Sequence, residues 1–349
     1  MPITPGAQYA DEIRRIYADA GRRTISILAK HLGTGSYTED WAYTKLGQLA
    51  KVRADIQREV IANLKVGDKL RAAVARAYKG GLEAARLDLE GAGIRGVTAS
   101  FGAINERAIE AAANEVIGSL NGTHLRILRQ AEDTYRLAVS HAQTSVLTGT
   151  ATRREASQMV LNKFANSGVT GFVDRAGRAW NLASYSEMAV RTTTARSALN
   201  GHIDRMVENK RDLVITSSHA NSCPLCRPWE GRILSISGGH PDYSSLDDAY
   251  ASGMFHPSCL HSVSAYVGGL TRIPRKPEPV HGGYPIRQQQ RYNERGIRRW
   301  KRREAAGLDD ATRKKARLKV REWQEKQRAL IDKYDLKRLY YREQITKAR

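Results

Sequence analysis

Apolar residues recur at helical spacing through most of the first 170 positions, so the chain is predicted to open as helix after helix. Thr4-Pro5 is a start signal for the first, with Ile13, Ile16 and Tyr17 on one face. Thr38 is the candidate N-cap of a second, whose stripe runs Trp41, Leu46, Leu49, Val52, Ile56, Val60 and Leu64. A third starts near Asp68, carries Leu70, Val74, Ala77 and Tyr78, and is expected to fade at Gly80-Gly81. Three glycines in EGAGIRGVTAS (90–100) mark a boundary, and helices near 102–119 and 122–147 follow. The latter places Leu125, Leu128, Ala131, Tyr135 and Ala138 on one face, which reads as core.

Past Gly168 the pattern shortens. β-type runs flank DRAGR, which reads as a hairpin turn between Phe172 and Leu182. Ser184 followed by Glu187 is a capping box, so a helix should start there and reach about Glu208. Within it Glu187 and Arg191 stand at ion-pair spacing, and with Tyr185 they resemble a catalytic trio less than a stabilised helix face. DLVITSS (212–218), GRILSIS (231–237) and SVSAYV (262–267) read as short strands. The stretch 268–286, with four prolines and four glycines, reads as an extended linker. Two basic helices come last. Asp309 or Asp310 caps the longer, whose Val320, Trp323, Leu330, Ile331 and Tyr334 form a stripe that needs a partner. No repeat of 20–50 residues is present, against a solenoid.

The predicted class is therefore mainly α, with long N-terminal helices, a small α+β module and basic C-terminal helices. The expected organisation is an N-terminal helical region (1–90), a central helical region (100–170), the module (171–267), the linker (268–286) and the basic helices (287–349).

Composition sharpens this. With 41% hydrophobic residues in 349, the chain can bury a core. No apolar run approaches the roughly 20 residues of a membrane span. The N-terminus lacks the order of a signal peptide, and three cysteines do not make a secreted disulfide framework, so a reducing cytosol is the expected place of synthesis. The net charge is +21, and residues 281–349 hold 22 Lys or Arg against 9 Asp or Glu. Such a tail is drawn to a polyanion by phosphate neutralisation. The candidate contacts are Arg291, Arg295, Arg298, Arg299, Lys301, Arg302, Arg303, Lys314 and Lys315, though a solvated helical face would look the same.

The chemistry concentrates in SCPLCRPWEGR (222–232) and FHPSCLH (255–261). Cys-x2-Cys on a turn between strands places two thiolates on one edge of a tetrahedron, and a second segment supplies the other. Cys223, Cys226 and Cys259 are the expected zinc ligands, with His256, His261 or His219 as the fourth. Three other readings compete. A redox Cys-x2-Cys should open a helix, which Arg-Pro-Trp does not continue. Plain buried thiols need no metal. A metal nuclease of HNH type would recruit His219, Asp242 and Asp247, whose spacing does not compel it.

The run GVTGFVDRAGRAWNLASYSEMAVRT (168–192) resembles the centre of bacteriophage minor capsid proteins of the portal-associated head-morphogenesis type. So does the order that follows: His219, then Cys226, Trp229 and Gly231, then Cys259 and His261, then the basic YNERGIRRWKRRE (292–304). The resemblance spans about 120–345 and implies a structural virion protein, made in the host bacterial cytoplasm and held inside the capsid near the portal vertex. It implies the portal, major capsid or scaffold protein and non-specifically bound packaged DNA as partners, no membrane, and a role in assembly, packaging or ejection. It also makes Cys259 and His261 the steadier ligand pair. A nuclease or toxin delivered with the particle, or a nucleic-acid-binding regulator, is the alternative.

Overall fold

Helical periodicity in the first quarter of the chain produces α1 (Gly6–Gly33), α2 (Trp41–Gly47), α3 (Leu49–Glu59) and α4 (Gly67–Gly91). The computed structural model describes residues 6–35, 38–173, 177, 179–273 and 275–346. The start signal at Thr4-Pro5 and the hairpin turn at 174–178, apart from Gly177, fall outside the described residues.

The second predicted helix is two short ones. Trp41, Val52 and Ile56 are buried as expected, but the phase slips at Gly47-Gln48 and Leu46 is half exposed. Lys45 takes the inward place instead. Its ammonium donates to the carbonyls of His31 and Thr34 at the end of α1, which have no partner within that helix.

The third helix does not fade at Gly80-Gly81. It continues as α4 and crosses α7 (Leu182–Glu208), and the glycines are there for that crossing. A Cβ on Gly81 would lie 1.9 Å from the carbonyl oxygen of Ala198, and one on Gly201 would lie 2.2 Å from that of Tyr78. The two backbones touch where no side chain fits. The hydroxyl of Tyr78 donates to Asp204 beside the crossing.

The predicted pair at 102–119 and 122–147 is one helix, α5 (Ala103–Leu147). The break expected between 119 and 122 is absent because the buried phase runs through it, from Ala113, Val116 and Leu120 to Ile127, Ala131, Tyr135 and Ala138. Leu125 lies outside that arc and is 73% exposed. Next comes α6 (Arg153–Ser167), opened by a capping box of Thr152 and Glu155. α7 starts at Leu182, two residues before the predicted position, because Asn181 Oδ1 accepts from the Ala183 N–H at 3.2 Å. Tyr185 is bonded to Ser119 through their hydroxyls, and Glu187 lies 3.9 Å from Arg14, so both serve packing.

Two small sheets complete the secondary structure. β1 (Thr170–Val173) pairs antiparallel with β2 (Ala179–Asn181). β3 (Leu213–Thr216) lies between β4 (Ile233–Ser235) and β5 (Val263–Ala265), antiparallel to both. One face of that sheet is sealed by Ala85 and Leu89 of α4, Leu199 and Met206 of α7, and Leu246 and Ala249 of α8 (Leu246–Ala251). Asp88 of α4 also accepts from the Ala265 N–H at 3.0 Å and meets His202 at 3.1 Å. Between residues 268 and 282 no regular helix or strand occurs among the described residues.

α9 (Gly283–Ala305) and α10 (Asp310–Tyr334) follow, with Asp309 capping α10 through the Thr312 N–H at 2.7 Å. Trp323 of the α10 stripe packs on α9: a Cβ on Gly296 would lie 2.2 Å from its ring. The chain forms two compact units, each of three stretches. One takes the residues to Ala10, Val66–Gly118 and Met188–Arg287; the other takes Asp11–Lys65, Ser119–Glu187 and Gln288–Arg349. No helix of the described residues is long and apolar enough to cross a membrane.

The crossing yields a test with an internal control. Gly80→Ala, where nothing lies within 4 Å of the added methyl, should stabilise by about 0.5–1 kcal/mol. Gly81→Ala, one position on, should destabilise by about 1–3 kcal/mol because the helices must part. Chemical denaturation of both variants checks the opposite signs.

Candidate metal centre

β3 carries the chain out of the sheet to His219, and β4 brings it back after Gly231. Between them Cys223-Pro-Leu-Cys226 closes a tight turn in which the N–H groups of Cys226 and Arg227 both donate to the Cys223 carbonyl, at 3.2 and 3.1 Å. The second segment is bent more sharply. Phe255 and Ser258 both adopt left-handed backbone, at φ 56° and 66°, which side chains other than glycine seldom occupy. The Cys259 N–H donates to the His256 carbonyl at 2.9 Å, and the Ser258 N–H is fixed by Thr192 Oγ1 of α7 at 3.1 Å. Those bends turn His256, Cys259 and His261 toward the knuckle.

The donor atoms converge. Cys223, Cys226 and His256 form one group and Cys226, Cys259 and His261 another, the ligand atoms of each lying within 4.8 Å of one another. Cys226 Sγ is 3.6 Å from Cys259 Sγ, Cys223 Sγ is 3.1 Å from His256 Nε2, and Cys259 Sγ is 3.3 Å from His261 Nδ1. A tetrahedral site with Zn–S bonds of about 2.3 Å has sulfur–sulfur edges of about 3.8 Å and sulfur–nitrogen edges of about 3.5 Å. The residues fit such an ion, and this Cys/His group could hold a metal. The cysteines are free thiols, and a disulfide would need the sulfurs at about 2.05 Å.

Both histidines are oriented by their far nitrogen, as metal-binding imidazoles are. His256 Nδ1 meets the Pro257 carbonyl at 3.0 Å. His261 Nε2 meets Glu230 Oε1 at 2.9 Å, leaving Nδ1 to the thiols. Glu230 is fully buried and also accepts from the His219 N–H at 2.8 Å and from the Ser222 hydroxyl.

Charge is placed unevenly across the cluster. The Cys226 thiol donating to Cys259, helped by His261 against the effect of burial, pulls Cys259 down to about 4. The same bond and then burial push Cys226 up. At Cys223 burial is outweighed by the Cys226 N–H and His256, and its pKa falls. Burial would lower both ligand histidines. The Pro257 carbonyl and Cys223 instead raise His256, and Cys259 and Glu230 raise His261. Burial of Glu230 is overcome by Ser222, His261 and the His219 N–H, which hold it below the usual carboxylate range.

Five of the six expected ligands are thus brought together. His219 joins neither group: its ring stands edge-on to His261, centroids 4.7 Å apart, and burial lowers its pKa. Asp242 and Asp247 are in neither group. Sequence reasoning missed Glu230, which sits in a mixed Trp229–Leu234 stretch beside Gly231 and Arg232 and carries no spacing signal of its own.

The basic residues divide. Arg298 donates to the Arg342 carbonyl, Lys301 to Gln344, Arg302 to the carbonyls of Ala165 and Asn166, and Arg303 to the Asn166 side chain. Arg291 is half-buried, and Arg299 lies over the Trp323 ring at 5.5 Å. Arg295, Lys314 and Lys315 are exposed.

A protein of Lactococcus phage LL-H described as "Structural protein" is 28% identical over 261 residues, covering 70% of this chain and 69% of its own. A "Structural protein" of Lactococcus phage mv4 is 32% identical over 117 residues, 30% of this chain and 94% of its own. No solved structure matches. The model of the family described as phage minor capsid protein 2 matches residues 7–332, from the first helix to the last turns of α10, and the chain belongs to that family.

Proposed function

We propose that this chain is a non-enzymatic minor head protein that works at the portal vertex, inside the capsid, with Zn2+ as a structural pin in its β3–β5 module. The observation that carries the reading is the family match, which runs through the whole Cys/His site. Membership in a family of phage structural proteins makes the virion its place. The portal, capsid or scaffold protein, and packaged DNA held without sequence preference, are the partners proposed.

Cys223, Cys226 and Cys259 would hold the zinc, with His256 or His261 completing the set. The ion supplies a cross-link between two turns about thirty residues apart, in a sheet whose strands are three or four residues long. Exposed Arg295, Lys314 and Lys315 serve the DNA contact. Phosphate contacts of that kind position a protein on nucleic acid without reading its sequence.

Elemental mass spectrometry of the purified chain should find about one zinc, and Cys259→Ser should lose it together with the cooperative melt of the module. Freshly reduced protein with no zinc would leave the thiols as core residues. Glu230→Gln should weaken zinc affinity about 10- to 100-fold in a chelator competition. An unchanged affinity would assign the fourth position to His256, whose orientation does not depend on Glu230. The head-protein reading predicts co-sedimentation with portal assemblies. A chain that stays in the supernatant of portals and of heads would contradict it.

A further inference from the structure

Four arginines of α9 line a cavity of about 220 Å³: Arg295, Arg298, Arg299 and Arg302. Spaced three and four apart, they share one face of the helix. Asn181 and Ser184, at the N-terminal end of α7, line the same cavity, and Trp323 closes it where Gly296 lets α10 approach.

The partners of these arginines are neutral. Arg302 is held at the end of α6 by the carbonyls of Ala165 and Asn166, at 2.8 and 3.2 Å. Arg298 donates to the Arg342 carbonyl. Arg299 rests over Trp323, and Arg295 over Tyr292 at 6.0 Å. Among the described residues none of the four forms an ion pair with a carboxylate; Glu187 and Glu294 act on Arg298 only at longer range. Burial, and then Arg298 and Arg299, weigh against the charged form of Arg302. Positive charge packed this way without a counter-charge is costly. The positive end of the α7 dipole adds to the same field.

We infer that this cavity is a binding site for a phosphate group, with Arg295 and Arg299 as its principal donors. Arg298 and Arg302 have carbonyl partners and supply field more than new hydrogen bonds. The space admits a phosphate group. The phosphate belongs either to a nucleic-acid backbone, in which case the site rests on the DNA contact proposed above, or to free phosphate.

The test titrates inorganic phosphate into the full chain at fixed ionic strength, read by calorimetry and by the unfolding midpoint. Saturable binding is expected, and Arg299→Gln should weaken it about tenfold. Arg295→Gln, at an exposed position where folding is not at stake, should weaken it in the same direction. Lys51→Gln removes the same charge at an exposed position outside the cavity and should leave it unchanged. Duplex DNA forms the second arm. DNA binding that falls with Arg299→Gln and is competed by phosphate identifies the backbone as the source. Phosphate binding that falls in the variants while DNA binding is absent or unaltered keeps the site and assigns it free phosphate, and absent DNA binding would remove the DNA contact from the function proposed above. An absence of saturable phosphate binding, or an equal loss in Lys51→Gln, overturns the site whether or not DNA binds.

Discussion

The module of short strands depends on two helices touching without side chains between them. Strands of three and four residues bury too little to hold a sheet alone, so β3–β5 must lean on α4 and α7. Those helices offer Ala85, Leu89, Leu199 and Met206 to the sheet as one surface. The surface exists because Gly81 and Gly201 allow backbone contact a few residues away. The thiols of Cys226 and Cys259 sit in the core that surface closes, so the candidate metal centre is built into the packing of the unit.

Charged groups are placed by the same demand that backbone ends find partners. Lys45 serves the last carbonyls of α1, and Arg302 those of α6. Part of the large positive charge is thus consumed in terminating helices. What is left over on α9 is the side of it that faces a cavity, with aromatic rings rather than carboxylates for company.

Periodicity made the helices and all three strands of the module legible, because tertiary packing there follows local pattern. It failed where a residue has two physical uses. Gly80-Gly81 read as a stop when Gly81 marks a crossing, since propensity cannot register a neighbour 117 positions away at Ala198. The helices read at 102–119 and 122–147 are one because the buried phase continues across the gap between them, and a single Gly122 weakens a long helix without ending it. Thr152-x-x-Glu155, a clear cap, went unused. At the site, the cysteines and the flanking histidines could be found from spacing. The demotion of His219 and the role of Glu230 required knowing which side of β3 and β4 each occupies.

Phe255 and Ser258 stand in left-handed backbone within four residues, and each costs on the order of 1 kcal/mol against an ordinary conformation. The costs are offset only while Cys259 and His261 remain engaged with the knuckle and Ser258 with Thr192. That makes 255–261 a loaded segment: once its contacts let go, the backbone gains by springing open, and the local opening needs no melting of α4 or α7. A protease would reach the buried Phe255 and Cys259 only through such an opening, at the seam that joins the two halves of the site.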